Sequence, residues 1–201
     1  AEGQVWYNST SGTFKSVLAT AAWSSGGNMI SAKRFLAAGG TQTAGLAFGG
    51  QPNPTNPSEE YNGSGWSTGG NMTSARTYLA GCGTQTAGLA FGGSPPVGGL
   101  TEEYNGSSWS EQNDLNTARA YLAGMGTQTA ALAAGGRNGP GVLVAVTEEY
   151  DGTSWTEQND MSTARRMLAG AGTQTAGLVF GGGTPNSDAT EEYDGTSWTA
   201  G

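Results

Sequence analysis

The amino-acid sequence predicts an all-β chain in which four-stranded antiparallel sheets stack radially as the blades of a β-propeller. Three observations carry that prediction. The phrase GTQTA recurs at Gly40–Ala44, Gly83–Ala87, Gly126–Ala130 and Gly172–Ala176. Each copy leads through a short apolar run to a glycine pair: Gly49–Gly50, Gly92–Gly93, Gly135–Gly136 and Gly181–Gly182. The tryptophans Trp23, Trp66, Trp109, Trp155 and Trp198 keep step at spacings of 43, 43, 46 and 43 residues. A period of this length marks a repeat architecture in which one supersecondary unit is stacked on the next.

The elements follow in order. Residues 1–27 are an overture that lacks part of the repeat. Gln4–Asn8 is aromatic and β-prone, Ser9–Gly12 is a turn and Thr13–Val17 alternates, which together predict a hairpin. Ala22–Ser25 then matches the tryptophan strand of the later units. Residues 28–201 hold four complete units. In each, a polar connector leads to a first run: Phe35–Ala38, Tyr78–Gly81, Tyr121–Gly124 or Met167–Gly170. Roughly ten residues ending in G-x-G is marginal for a helix, so these runs are read as strands. The GTQT turn and a second apolar run come next. A variable loop follows each glycine pair: Gln51–Ser58, Ser94–Leu100, Arg137–Val146 and Gly183–Ala189. The third carries GVLVAV, long enough to lengthen the strand after it. Each unit closes on EEYNGSGW, EEYNGSSW or EEYDGTSW. Asn-Gly and Asp-Gly between aromatic segments predict a hairpin with a type I′ turn.

A four-stranded unit cannot bury both faces alone, whereas radial stacking covers each sheet with the next and leaves only short edges. The innermost strand must be small where the sheets converge, and LAGAG and its equivalents are. With the overture as a partial blade, five sheets around the axis are expected in preference to four.

Composition limits the function. There are 8 basic and 16 acidic residues, a net charge of −8, and no histidine. A nucleic-acid footprint or an anionic membrane surface would call for a basic patch, so neither is an expected partner. No apolar run approaches the ~18 residues of a membrane span and no signal-like start is present, so a soluble chain without membrane insertion is expected. Cys82 shares a variable phase with Met125 and Ala171 and reads as a small core residue.

The glycine pair, tyrosine and tryptophan within a unit of about 45 residues resemble the kelch repeat, a propeller blade. The matching positions are Gly49, Gly50, Tyr61 and Trp66; Gly92, Gly93, Tyr104 and Trp109; Gly135, Gly136, Tyr150 and Trp155; and Gly181, Gly182, Tyr193 and Trp198. The tyrosine-to-tryptophan interval is shorter than in most kelch blades, and the blades are unusually alike. The GTQTAGLAFGG phrasing is similar to kelch-like proteins of marine phages and their hosts, and VWYNSTSGTFK resembles segments of phage tail-fibre and virion proteins. What the resemblance implies is a virion or extracellular location, with other virion proteins or further copies of the chain as partners.

Candidate chemistry is sparse. The acid pairs Glu59–Glu60, Glu102–Glu103, Glu148–Glu149 and Glu191–Glu192 suggest a two-carboxylate glycosidase, but neighbours on a strand face opposite ways. One glutamate per blade is expected to meet Lys33, Arg76, Arg119 or Arg165, which recur in step. The Asn-Asp connectors, with Asp151 and Asp194, lack calcium-loop spacing and read as turn formers, so no metal or cofactor is expected. The repeated tryptophans read as sheet-to-sheet packing, which leaves Trp6 unexplained. No catalytic residues are assigned, and a non-enzymatic module is expected. Because the scaffold hardly varies while the loops do, recognition of a glycan or protein surface is assigned to Gln51, Asn53, Asn56, Arg137, Asn138, Asn186 and Asp188, with Trp6. A purely structural virion component and a glycan-active enzyme are the alternatives.

Overall fold

Every complete repeat becomes one antiparallel sheet. The computed structural model describes residues 5–8, 10, 12–16, 25–52, 55–183 and 186–201, and no helix occurs among them. An N-terminal hairpin pairs β1 (Val5–Asn8) with β2 (Thr13–Ser16), as the overture predicts. Blade 1 follows as β3 (Ala37–Thr41), β4 (Ala44–Phe48), β5 (Thr55–Tyr61) and β6 (Trp66–Arg76). Blade 2 is β7 (Ala80–Thr84), β8 (Ala87–Phe91), β9 (Thr101–Tyr104) and β10 (Trp109–Gln112). Blade 3 starts with β11 (Ala123–Thr127) and β12 (Ala130–Ala134). Its loop forms a two-stranded ribbon, β13 (Arg137–Gly139) and β14 (Val142–Leu143), before β15 (Thr147–Tyr150) and β16 (Trp155–Gln158) complete the sheet. Blade 4 is β17 (Ala169–Thr173), β18 (Ala176–Phe180), β19 (Thr190–Tyr193) and β20 (Trp198–Ala200). The overture's tryptophan strand falls largely on residues 22–24, outside the described residues, so four complete blades and a separate hairpin are what the structure describes.

Three local expectations are corrected. GVLVAV does not lengthen β15, which keeps four residues; the extra apolar segment folds back on Arg137–Gly139 instead. The inner strands begin two residues later than the apolar runs because Phe35, Tyr78, Tyr121 and Met167 take left-handed φ values of 56°, 57°, 61° and 56°, which breaks the extended backbone. The closing hairpins are present, with Tyr61 opposite Trp66, but their turns are not type I′. Only the glycine is left-handed (Gly63, φ 90°), and Asn62 Oδ1 accepts from the amides of Ser64 and Gly65 at 3.0 and 2.9 Å. The asparagine works as an Asx acceptor across a four-residue loop.

The glycine pair has a steric reason. Gly49 is left-handed (φ 68°), and a Cβ there would lie 2.8 Å from both the Arg76 carbonyl oxygen and Leu79 Cδ2. It ends β4 where the connector to the next blade crosses. Convergence explains the small inner strands: a Cβ on Gly39 would stand 3.1 Å from the Gly83 carbonyl oxygen in the neighbouring inner strand.

Three cores fill the three junctions. Leu46, Phe48 and Ala37 of blade 1 meet Leu79, Tyr104 and Trp109 of blade 2. Leu89 and Phe91 meet Leu122, Tyr150 and Trp155 at the next junction, and Met125 and Leu132 meet Leu168 and Tyr193 at the third. Phe48–Trp109 and Phe91–Trp155 sit at ring-centroid distances of 4.9 Å, tilted by 59° and 58°. Trp109 and Trp155 are therefore sheet-to-sheet packing, while Trp66 meets Tyr61 of its own hairpin and Trp23 lies outside the described residues. Cys82 is buried as predicted, and burial pushes its thiol up to about 12. The inner strands β3, β7, β11 and β17 lie side by side in that order, but β17 and β3 do not pack on one another. Among the described residues the blades form an open arc.

Candidate functional site at the axial mouth

The left-handed residues define the site. Each sits two residues before an inner strand, and the last three donate their amides to the same residue of the preceding blade. Tyr78 donates to the Phe35 carbonyl at 3.0 Å, Tyr121 to Tyr78 at 2.8 Å and Met167 to Tyr121 at 2.8 Å. This ladder turns the side chains out of the sheets and over one another. Phe35 and Tyr78 lie 4.5 Å apart between centroids, and Tyr78 and Tyr121 stack at 4.0 Å and 24°. The row stays open: Phe35 is 44% and Met167 52% exposed. With the leucine after each residue it lines a shallow cavity of about 280 Å³. A bulky non-glycine residue in this conformation costs on the order of 1–3 kcal/mol, and such strain clusters at functional sites.

The variable loops start at the same end. Single bridges pair Arg34 with Gln51, Thr77 with Ser94, Ala120 with Arg137 and Arg166 with Gly183. The first residue of every loop is thereby fixed beside the row. Gln51 donates Nε2 to the Tyr78 hydroxyl and accepts from Arg34 Nε, both at 3.2 Å. Arg34 lies over the Phe35 ring at 5.3 Å, and Arg137 and Arg166 lie over Tyr121 at 4.9 and 5.5 Å. Arg137 Nε is buried and has no partner. Burial, followed by the Tyr78 hydrogen bond, raises the Tyr121 hydroxyl above its ordinary pKa.

Charge is concentrated here by elimination. Of the chain's eight basic residues, Lys33, Arg76, Arg119 and Arg165 are buried against Glu59, Glu102, Glu148 and Glu191, and Lys15 belongs to β2. The remaining three, Arg34, Arg137 and Arg166, all stand at the mouth. The four ion pairs are those the repeat phases predict, at 3.1 Å for Lys33–Glu59 and 2.7 Å for Arg76–Glu102 and Arg165–Glu191. Burial lowers the pKa of Arg76 and Arg119, with the partner glutamate opposing it. Each paired carboxylate also caps the connector that leads into its own blade, accepting from the amides of Ile30, Thr73, Asn116 or Ser162. Of the second glutamates, Glu60, Glu103 and Glu149 accept the tyrosine hydroxyl of the following blade at 2.5, 3.1 and 3.1 Å. Asp151 and Asp194 spend their carboxylates on turn amides.

Of the loop residues assigned from the sequence, Gln51 and Arg137 reach the aromatic row. Asn138, Asn186 and Asp188 are exposed along their loops and Asn56 is half-buried on β5; none of these four hydrogen-bonds to the row. Trp6 lies on β1 opposite Lys15, and Asn53 is outside the described residues. Sequence reasoning missed Phe35, Tyr78, Tyr121, Met167, Arg34 and Arg166. The available signal was a bulky residue recurring two places before each small inner strand. A scan against protein-family models finds no match to the chain, and a search of curated proteins finds none either.

Proposed function

We propose that the chain is a non-catalytic, kelch-like propeller module that binds an acidic glycan at its axial mouth. The carrying observation is the row of strained, stacked, solvent-open aromatic side chains flanked by Arg34, Arg137 and Arg166. Aromatic faces offer a flat apolar surface to a sugar ring, and guanidinium groups match carboxylate or sulfate geometry with paired donors. Loops of unequal length begin at the same rim and supply specificity on a rigid frame. The setting that fits is a virion or cell surface, supported by the likeness of residues 5–15 to virion proteins.

The test is a glycan array carrying uronate, sialylated, sulfated and neutral glycans. It is probed with the wild-type chain, Tyr78→Ala and Arg137→Gln. Binding to acidic glycans should fall about 5- to 30-fold in each variant while the melting temperature of Arg137→Gln holds. Equal binding of neutral and acidic glycans, or variants that bind like wild type, would sink the reading. Among the alternatives, a structural assembly role draws on a separate observation, the uncovered face of blade 4.

A further inference from the structure

Three contacts repeat at each blade junction, always in one direction. Gln85 donates Nε2 to the carbonyls of Gly45 and Tyr61 in the preceding blade at 3.1 and 2.8 Å. Gln128 does the same to Gly88 and Tyr104 at 3.0 and 2.7 Å, and Gln174 to Ala131 and Tyr150 at 3.2 and 2.7 Å. The tyrosine hydroxyl of the later blade donates to the second glutamate of the earlier one. Its indole donates to a buried hydroxyl: Trp109 to Ser58 at 2.8 Å, Trp155 to Thr101 and Trp198 to Thr147, both at 2.9 Å. The later blade gives and the earlier blade accepts.

Both ends of the arc keep their half of this pattern without a counterpart. Blade 4 repeats the acceptors as Thr190, Glu192 and the Gly177 and Tyr193 carbonyls, and none receives a side-chain donor from the described residues. Blade 1 repeats the donors as Gln42, Tyr61 and Trp66, and none has an acceptor among the described residues. The apolar shapes match too. Leu46 reaches the open side of Gly88, and Leu132 that of Gly177, within 2.6 and 2.9 Å of where a Cβ would stand. Leu178 on blade 4 is the next knob in register. Gly45 on blade 1 is the vacant socket, with nothing from another blade within 4 Å of its Cβ position. The blade 4 face is lined by Ala171, Ala176 and Leu178 around a cavity of about 400 Å³, and Phe180 is 42% exposed where Phe91 is fully buried.

We infer that the open face of blade 4 is docked by the blade 1 face of a second copy of this chain. Such a contact is heterologous, and two four-blade arcs that dock both ways close into a ring of eight blades. Residues 1–27 are the weaker occupant. Aligning Trp23 with Trp66 puts Lys15 where the accepting hydroxyl of Ser58 belongs, Val17 at the glutamate and Leu18 at the tyrosine. That segment offers blade 4 the indole but not the phenol, and offers blade 1 neither side-chain acceptor. The connector already fits a docked blade. Gly26 lies against the Tyr61 hydroxyl as Gly69 lies against that of Tyr104, and Gly201 is in the repeat phase of Gly26. A docked blade 4 therefore hands over in register to the partner's connector.

The test is sedimentation equilibrium of the 201-residue chain, with circular dichroism as a check on folding. Wild type should be a dimer. Phe180→Glu, on the acceptor face, and Gly45→Leu, which fills the socket, should each weaken association at least about 30-fold and stay folded. Mixing the two variants should restore a dimer, because each retains the face that the other has lost. Wild type that stays monomeric, a dimer indifferent to both substitutions, or variants that fail to complement would overturn the inference. Should Trp23→Ala lower the melting temperature of a monomeric wild type, the chain's own N-terminal segment would be the occupant and the second copy excluded. Glycan binding is read separately, so failure here leaves the axial-mouth reading untouched.

Discussion

Blades 3 and 4 have nearly the same sequence and very different surroundings. TEEYDGTSWT is identical in both, and the inner strands differ only as AGMGT and AGAGT. In blade 3 the inner strand is mostly buried, with Ala123 and Met125 in the core; in blade 4 Ala169 and Ala171 are exposed. Leu132 is fully buried while Leu178, in the same phase, is half-open. The side chains are not what differ. Burial in a radial stack is supplied by the following sheet, and among the described residues blade 3 has one where blade 4 has none. The covered and uncovered copies are thus a natural pair for separating intrinsic blade stability from nearest-neighbour stability.

The largest effect should come from the apolar knob. Leu132→Ala removes a side chain packed on the next blade and should cost about 2–5 kcal/mol in urea unfolding, whereas Leu178→Ala should cost less than about half as much at concentrations where the chain is monomeric. Equal losses would mean that blade 4 is covered after all. A smaller contrast lies in the buried hydroxyls. Thr147→Val orphans the indole N–H of Trp198 and should cost about 1–3 kcal/mol, while Thr190→Val orphans nothing in the monomer and should be near neutral.

The smallest effect should erase the difference between the two blades. Asp151 and Asp194 each accept two turn amides at 2.8 Å, and those bonds hold both carboxyls below the ordinary carboxylate pKa. A depressed folded-state pKa stabilises above the unfolded value, and that contribution is lost as pH falls through the folded one. Melting temperature should therefore drop in acid, below about pH 4, by similar small amounts from each turn. Asp151→Asn and Asp194→Asn should flatten that dependence equally, since Asn62 and Asn105 build the same turn without a titrating group. Unequal responses would show that the turns feel the neighbouring sheet.

Much of the scaffold was legible because it is local or periodic. The glycine pairs end strands through their own left-handed backbone, EEY…W closes a hairpin, and a cation recurring in step with a glutamate becomes a buried pair. The axial mouth was not legible. Phe35, Tyr78 and Tyr121 read as the start of strands, since aromatic residues favour extended backbone. Their left-handed conformation is held by an amide ladder running between blades, which no single repeat contains.

The sequence by itself determined the repeat, the four-stranded unit, the turn chemistry and the ion-pair partners, all of which follow from backbone preference and residue spacing. Only the tertiary structure decided which identical face is core and which is surface, where Arg34, Arg137 and Arg166 gather, and which way the aromatic row points. Those properties depend on what lies across a junction, and near-identical repeats carry no mark of whether a neighbour is there.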